Sequence, residues 1–353
     1  MTGGSNGRPA AAVHLGITMG DPLGIGPEVV VKALAAWAAD PDRPAVRWVV
    51  FGDAPRLEAV RARLAPALAW GVAEDEAAWA DRPEPVVVVP GPAVDEPWGR
   101  ISAAAGRAAY AYIQAAVAAA LAGRLAGVVT APIHKEAIHL AGVSEPGHTE
   151  ILQQLTGARA VAMMLVGGGL RVAHVSTHVS LADALARVTP ERIRAVTRMT
   201  LDALPRFGVT APRVAVAGLN PHNGEHGLFG DTEDRVIRPA VEAMRAEGWP
   251  VVGPVPADTV FVRARAGEFD AVVAQYHDQG HIPVKLLAFD EAVNLTLGLP
   301  IIRTSVDHGT GFDIAGTGVA RAESMLAAMR VAARLAGAPE PGRMEAGRPG
   351  GAV

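Results

Sequence analysis

The chain of 353 residues contains no cysteine. Disulfides, thiolate nucleophiles, zinc–thiolate sites and iron–sulfur clusters are therefore excluded. Any metal must rest on His, Asp or Glu. Basic charge is short as well: 32 Lys and Arg stand against 36 Asp and Glu, a net charge of −4. Without a cationic excess to hold a phosphate backbone, nucleic acid is not expected as a partner. A membrane span is not expected either. The longest uncharged, alanine-rich run lies between Arg107 and Arg124 and includes Gln114. It falls short of the ~18–20 apolar residues a span needs and reads as a buried helix. Residues 1–12 lack the hydrophobic core of a signal sequence, so a cytoplasmic protein is expected. That segment and the Pro/Gly-rich residues 338–353 read as disordered tails.

Lysine is the other scarcity. Only Lys32, Lys135 and Lys285 are present. Arginine replaces lysine readily on a surface, but not where a compact, titratable ammonium is required. Lys135 and Lys285 sit in motif-dense polar segments and stand out on that ground. Lys32 lies on a helix and reads as an ordinary solvated residue.

What the chain does have is short apolar runs alternating with helical stretches. The runs are Val13–Thr18, Trp48–Phe51, Val86–Val89, Gly127–Thr130, Leu170–Val175, Val214–Ala217 and Ala271–Ala274. Helical periodicity occupies Pro27–Ala39, Ala103–Leu125, Pro190–Phe207, Asp231–Glu247 and Ala322–Leu335. Valine-rich runs without alternation suit strands buried on both faces, so an α/β protein with a largely parallel sheet is expected.

Three of the eleven histidines follow apolar runs. They are His178 after Arg171-Val-Ala-His-Val-Ser-Thr, His222 after Arg213-Val-Ala-Val-Ala-Gly-Leu-Asn-Pro, and His277 after Asp270-Ala-Val-Val-Ala-Gln-Tyr. In open α/β sheets, ligands gather at the carboxyl ends of strands. Three imidazoles brought together there would suit a divalent ion acting as a Lewis acid. Each taken alone is better explained as an ordinary loop residue or a satisfied hydrogen-bonder. His174 reads as a core residue within its strand, and His226 and His281 flank the candidate ligands.

A fourth strand end, Gly127-Val-Val-Thr-Ala-Pro-Ile-His-Lys135, is followed by Pro146-Gly-His-Thr-Glu150. His148 and Thr149 at a helix start form a candidate anion site, with Thr149 as the capping residue; a plain capping turn explains them equally. The loop Thr18-Met-Gly-Asp-Pro-Leu-Gly-Ile-Gly-Pro-Glu28 is neither a Walker sequence nor a Rossmann GxGxxG, and no GxGxxG fingerprint occurs elsewhere. Gly24 and Gly26 serve there either a phosphate or only a tight turn. Arg303, beside an apolar strand, offers a bidentate grip on phosphate or carboxylate, or a structural ion pair.

Five motifs together resemble one family. Gly20-Asp-Pro-Leu-Gly-Ile-Gly-Pro-Glu28, Pro146-Gly-His-Thr-Glu150, Leu219-Asn-Pro-His-Asn-Gly-Glu225, Tyr276-His-Asp-Gln-Gly280 and Arg303-Thr-Ser-Val-Asp-His-Gly-Thr310 look like the PdxA family of 4-hydroxythreonine-4-phosphate dehydrogenases. The resemblance covers roughly residues 13–335. It implies a two-domain α/β fold of the isocitrate/isopropylmalate dehydrogenase type, which has no Rossmann GxGxxG. It also implies two interleaved units, 13–140 plus 304–337 and 141–303, the second carrying the metal and the dimer interface.

The implied activity is NAD-dependent oxidation and decarboxylation of a phosphorylated β-hydroxy acid, with NADP as a possible substitute. The product from 4-hydroxythreonine 4-phosphate would be 3-amino-2-oxopropyl phosphate, an intermediate on the way to pyridoxal phosphate. A divalent ion (Zn, Mg, Co or Mn) is implied on His178 and His222 of one subunit and His277 of its partner, within a homodimer. His148, Thr149, Lys285, Asn294 and Arg303 are implied to bind substrate. Lys285, with Asp278, is the candidate for moving protons.

One departure stands out. After Asp-Gln-Gly280 the chain reads His-Ile-Pro-Val-Lys285, where biosynthetic members read Leu-Pro-Val-Leu-Lys. That pattern is similar to the D-threonate and D-erythronate 4-phosphate dehydrogenase branch, whose substrates carry a 2-hydroxyl in place of the 2-amino group. From the residues alone, a metal-dependent phosphoester hydrolase or aldolase, or a non-catalytic phospho-ligand sensor, also fits.

Overall fold

The computed structural model describes residues 13–73 and 78–337; both expected tails lie outside the described residues. The amino-terminal part runs β1 (Val13–Thr18), α1 (Gly26–Ala39), β2 (Val46–Gly52), α2 (Ala54–Leu64), β3 (Gly71–Val72), β4 (Val86–Pro90), α3 (Ala103–Leu121) and β5 (Gly127–Thr130). The middle follows with α4 (Lys135–Leu140), α5 (His148–Thr156), the hairpin β6 (Ala162–Gly167) and β7 (Leu170–His174), α6 (Leu181–Ala186), α7 (Pro190–Ala203) and β8 (Val214–Ala217). The remainder is α8 (Arg238–Ala246), β9 (Val251–Val255), α9 (Ala257–Arg265), β10 (Ala271–Ala274), α10 (His277–Ala288), β11 (Val293–Leu297), β12 (Ile302–Ser305) and α11 (Glu323–Leu335).

All strands among the described residues join one 12-stranded sheet in the order β3-β4-β2-β1-β5-β12-β11-β6-β7-β10-β8-β9. The sheet is α/β as expected, but mixed. β11 is antiparallel to both β12 and β6, and β6 is antiparallel to β7. Strands from β3 to β12 therefore run one way, and β7, β10, β8 and β9 run the other. The reversal is built by the Gly168-Gly169 turn, where both residues have positive φ and close a two-residue hairpin.

The buried strands explain the valine runs. Val86–Val89, Val214–Ala217 and Ala271–Ala274 are wholly buried because helices cover both faces. One core cluster gathers the amino-terminal third with Met325, Met329 and Ala332 of α11. Others form on the two faces of the middle strands, around Ile193 and Val241 on one side and Val260 and Val284 on the other. A fourth packs α3 on α4 and α5. There a side chain at Gly106 would meet the Ala137 carbonyl at 1.9 Å, so only glycine allows the helices that close.

Helix ends differ from the periodicity for identifiable reasons. α3 stops at Leu121 because Gly123 turns left-handed at φ 71°. α7 tightens after Ala203 into a 3-10 turn that ends at left-handed Gly208. Lys32 also corrects an expectation. It is not merely solvated: its Nζ donates to the carbonyls of Gly318 and Ala320. No helix among the described residues is long and apolar enough to cross a membrane.

Candidate active site

Arg303 is nearly completely buried on β12. Its guanidinium donates to Thr296 Oγ1 of β11 at 3.0 Å and to Thr130 Oγ1 at the end of β5 at 2.7 Å. Its Nε is enclosed without a partner. Burial pulls its pKa down to about 9, still above neutral pH, so the cation persists. Among the described residues no carboxylate forms an ion pair with it, which argues against the structural salt bridge as an explanation.

Beside it starts α5. Gly147, in extended backbone, is the N-cap residue, and no side chain caps the helix. The capping role expected of Thr149 is therefore not seen; it is the second residue of the helix. His148 Nε2 is buried without a partner. Burial, then the neighbouring Arg303 charge, holds the imidazole well below its usual pKa and keeps it neutral. Arg303, His148, Gly147, Lys135, Ser305 and His308 line one cavity of about 200 Å³. A guanidinium, an ammonium and an open helix N-terminus around such a space make an anion site. Asn294 is paired across the sheet with Ser305, which lines this cavity.

The opening glycine loop is not a phosphate cradle. A Cβ at Gly24 would lie 2.9 Å from the Thr310 carbonyl, and one at Gly26 would lie 2.1 Å from the Met19 carbonyl. Ile25 N–H donates to Thr310 O at 2.8 Å. Gly24 lets this loop press against the segment after β12, and Gly26 lets the loop fold back on its own backbone at Met19.

The histidines occupy the neighbouring strand ends of β7, β10 and β8, which are parallel to one another. His277 begins α10, and its Nδ1 lies 2.6 Å from Asp278 Oδ1. With Nδ1 donating, Nε2 keeps its lone pair for a ligand. The His178 ring lies 5.6 Å from the His277 ring, centre to centre, within the same chain. Asp278 thus serves the imidazole; the carboxylate that meets Lys285 is Asp307, 2.7 Å away.

His222 stands apart. Among the described residues of one chain, no three potential ligands gather closely enough to hold a metal. Exposed His222 sits in a left-handed turn at φ 51°, followed by Asn223 at φ 57°. Wholly buried Glu233 fixes this arm by accepting from the backbone N–H of Leu219 and Asn220 and from Asn220 Nδ2. Asn223 Nδ2 anchors it to Pro254 O at 2.9 Å.

Two glutamine supports, Gln275 and Gln279, carry no signal in the sequence, whereas His174 and His281 stand out there as a core residue and a group flanking the candidate ligands. Gln275 Nε2 and Gln279 Nε2 donate to Ala217 O and Gly218 O, tying the exit of β10 to that of β8. Buried His281 stacks on His277 with ring centres 3.7 Å apart, and its Nδ1 lies 3.2 Å from Nε2 of buried His174. Burial first, then the adjacent imidazole, pushes His174 down to about 3 and His281 down to about 4. Both rings are neutral near pH 7. Glutamines and threonines signal little in sequence, since their role depends on which strands become neighbours.

Comparison with known proteins decides the family. The family described as "Pyridoxal phosphate biosynthetic protein PdxA" matches residues 45–332. The chain belongs to the PdxA family. It is 49% identical over 327 residues to D-threonate 4-phosphate dehydrogenase of Cupriavidus necator, covering 91% of this chain and 97% of that protein. It is 48% identical over 324 residues to 4-hydroxythreonine-4-phosphate dehydrogenase of Beijerinckia indica, covering 91% and 94%. The crystal structure of 4-hydroxythreonine-4-phosphate dehydrogenase from Klebsiella pneumoniae superposes with TM-score 0.84 at 45% identity, covering 92% of this chain and all of that one. This PdxA-family chain is accordingly an enzyme of the dehydrogenase class.

Proposed function

We propose that the protein oxidises and decarboxylates a phosphorylated four-carbon β-hydroxy acid, with NAD as acceptor and a divalent metal as Lewis acid. The observation that carries this reading is the pair of adjoining sites. An anion cavity built on Arg303 and His148 lies near the Lys285–Asp307 pair and a two-imidazole cluster. The phosphate is assigned to the cavity, where Arg303 is held rigid by two threonines and the N-terminus of α5 is open. The substrate is 4-hydroxythreonine 4-phosphate, in keeping with the names of relatives.

The donor set suits the metal. Rings bound to one tetrahedral cation sit roughly 5 Å apart when each nitrogen is ~2.0–2.1 Å from it. The His178–His277 separation of 5.6 Å fits that arrangement. Within this reading, the third imidazole is His222 of a second copy, so the sharing differs from that implied by motif order. The exposed apolar residues support a homodimer: Ile282, Leu286 and Phe289 along α10, and Leu228 and Phe229 beside His222. The active site then lies between copies, at the junction of the units 13–140 plus 304–337 and 141–303.

The dinucleotide is assigned to a cavity of about 450 Å³ lined by Ile25, Ile314, Gly309, Gly311, Lys285 and Asp307. Apolar walls for a flat ring and glycine backbone for close approach suit it. When bound, the dinucleotide supplies the hydride acceptor and the divalent ion polarises the alcohol. The chain does the rest. Asp278 fixes the tautomer of His277. Asp307 holds the Lys285 ammonium at the wall of the dinucleotide cavity. Lys285 is the group assigned to move protons: one leaves the alcohol as it becomes a carbonyl, and one returns to carbon after CO₂ departs.

A second reading rests on His281, buried one turn beyond His277 where the motif comparison expects leucine. It favours D-threonate or D-erythronate 4-phosphate as substrate, with the same chemistry. An assay of NADH formation with the three phosphorylated acids separates the readings: preference for the 2-amino acid supports the first, and preference for a 2-hydroxy acid supports the second. Turnover of any of them without NADH would indicate a hydrolase or aldolase.

A further inference from the structure

Behind the proposed dinucleotide cavity lies a cluster of charges that the reaction does not use. Glu28, in the first turn of α1, is wholly buried. Its Oε1 accepts from the backbone N–H of Gly318 at 2.8 Å and from Arg63 of α2 at 2.8 Å. Arg63 also donates to Gly316 O at 2.7 Å. One turn along α1, Lys32 Nζ donates to Gly318 O at 2.5 Å and to Ala320 O at 2.7 Å. The Gly318 residue is thus gripped at its N–H by an acid and at its carbonyl by a base, both from one face of α1.

The gripped turn is not held by regular structure. Residues 316–320 lie outside every helix and strand, and Gly316 and Gly318 take φ of 80° and 86°. Val319 of the turn lines the cavity, beside Arg321, Ile314 and Gly311. Where the turn sits therefore sets the width of the cavity. Lysine at position 32, one of only three in the chain, matches this task. Two carbonyl oxygens converge on a single point charge, which the broad planar guanidinium of arginine does not reproduce.

We propose that Lys32, with Glu28 and Arg63, is a positioning residue for dinucleotide binding, holding the 316–320 turn so that the cavity stays open to the cofactor. The proposal rests on the assignment of that cavity to the dinucleotide. The phosphate cavity shares His308 and Gly309 with this one but has no wall from the 316–320 turn, so release of the turn separates the two ligands: dinucleotide affinity falls while substrate affinity does not.

The test is steady-state kinetics on Lys32→Gln, Lys32→Arg and Gly318→Ala, with binding of the phosphorylated substrate to the NAD-free enzyme measured by calorimetry. Lys32→Gln is expected to raise the KM for NAD about tenfold, the effect of losing hydrogen bonds to a charged group. Its kcat at saturating NAD and its substrate Kd remain at wild-type values. Lys32→Arg restores the KM only in part. Gly318→Ala, strained at its positive φ, reproduces the same split through the backbone and serves if Lys32→Gln does not fold. An unchanged KM for NAD in folded Lys32→Gln or Gly318→Ala overturns the proposal, as does a parallel loss of NAD and substrate binding. If the wild-type enzyme neither binds nor reduces NAD, the cavity assignment itself fails and takes the proposal with it.

Discussion

Lys285 Nζ lies 2.7 Å from Asp307 Oδ2, and this ion pair joins α10 to the segment leaving β12. β10 and β12 run in opposite directions, and α10 links their carboxyl ends. It starts at His277 beyond β10 and runs back over β6, carrying Lys285 to the edge where β12 ends. Lys285→Met is expected to lower kcat by ~10²–10⁴-fold, the usual loss for a proton-transfer group. Lys285→Arg should be nearly as poor, because guanidinium keeps the charge but does not release a proton. Rapid-mix measurement of NADH formation checks both, and a near-normal Lys285→Arg would assign the residue a purely electrostatic part.

Asp278 is exposed, and the His277 ring, its hydrogen-bond partner, draws its pKa below the ordinary carboxylate value. Asp278→Ala should weaken divalent-metal affinity by ~10–100-fold, because the His277 tautomer is no longer fixed. Titration of metal against a fluorescent chelator reads this directly. Loss of activity with unchanged metal affinity would instead place Asp278 in the proton-transfer path.

The adjacent buried pair His174 and His281 makes the fold sensitive to acid. Their folded pKa values, about 3 and about 4, lie below those of free imidazole. The unfolded chain therefore binds more protons on acidification. Stability is full above the unfolded value of ~6.5, falls as pH drops below it, and levels off once the folded values are passed. Urea unfolding at a series of pH values should show a smaller loss in His281→Leu than in wild type. An identical pH dependence would assign the acid sensitivity to other groups.

Leu286 and Phe289 project from α10 into solvent in the single chain. Leu286→Asp should shift the protein from dimer to monomer and remove activity together with tight metal binding. Sedimentation, activity and metal content should change in step. A fully active monomer would contradict a site shared between copies.

The strands Val13–Thr18, Val86–Val89 and Ala271–Ala274 were legible because buried valine runs have no other use in an α/β core. β6 and β11 were not marked as strands: short segments such as Val293–Leu297 owe their place to antiparallel neighbours rather than to their own pattern. At the site, His148, His277, Lys285 and Arg303 were legible as residue types with costly chemistry in motif-dense segments. Thr130, Thr296, Gln275, Gln279 and Glu233 were not, because each acts through a partner from a distant strand. Lys32 was misread for the same reason. Its partners lie 286 and 288 residues away and are backbone carbonyls, which leave no trace in a side-chain pattern.

The account depends most on oxidation of a phosphorylated hydroxy acid at a metal held between copies. The direct measurement is the initial rate of NADH formation from 4-hydroxythreonine, D-threonate and D-erythronate 4-phosphates, before and after removal of divalent metal by a chelator. The account predicts NADH from at least one of these acids, no rate in the stripped enzyme, and recovery when a divalent ion is returned. An undiminished rate in enzyme shown to be metal-free, or consumption of substrate without NADH, would contradict it.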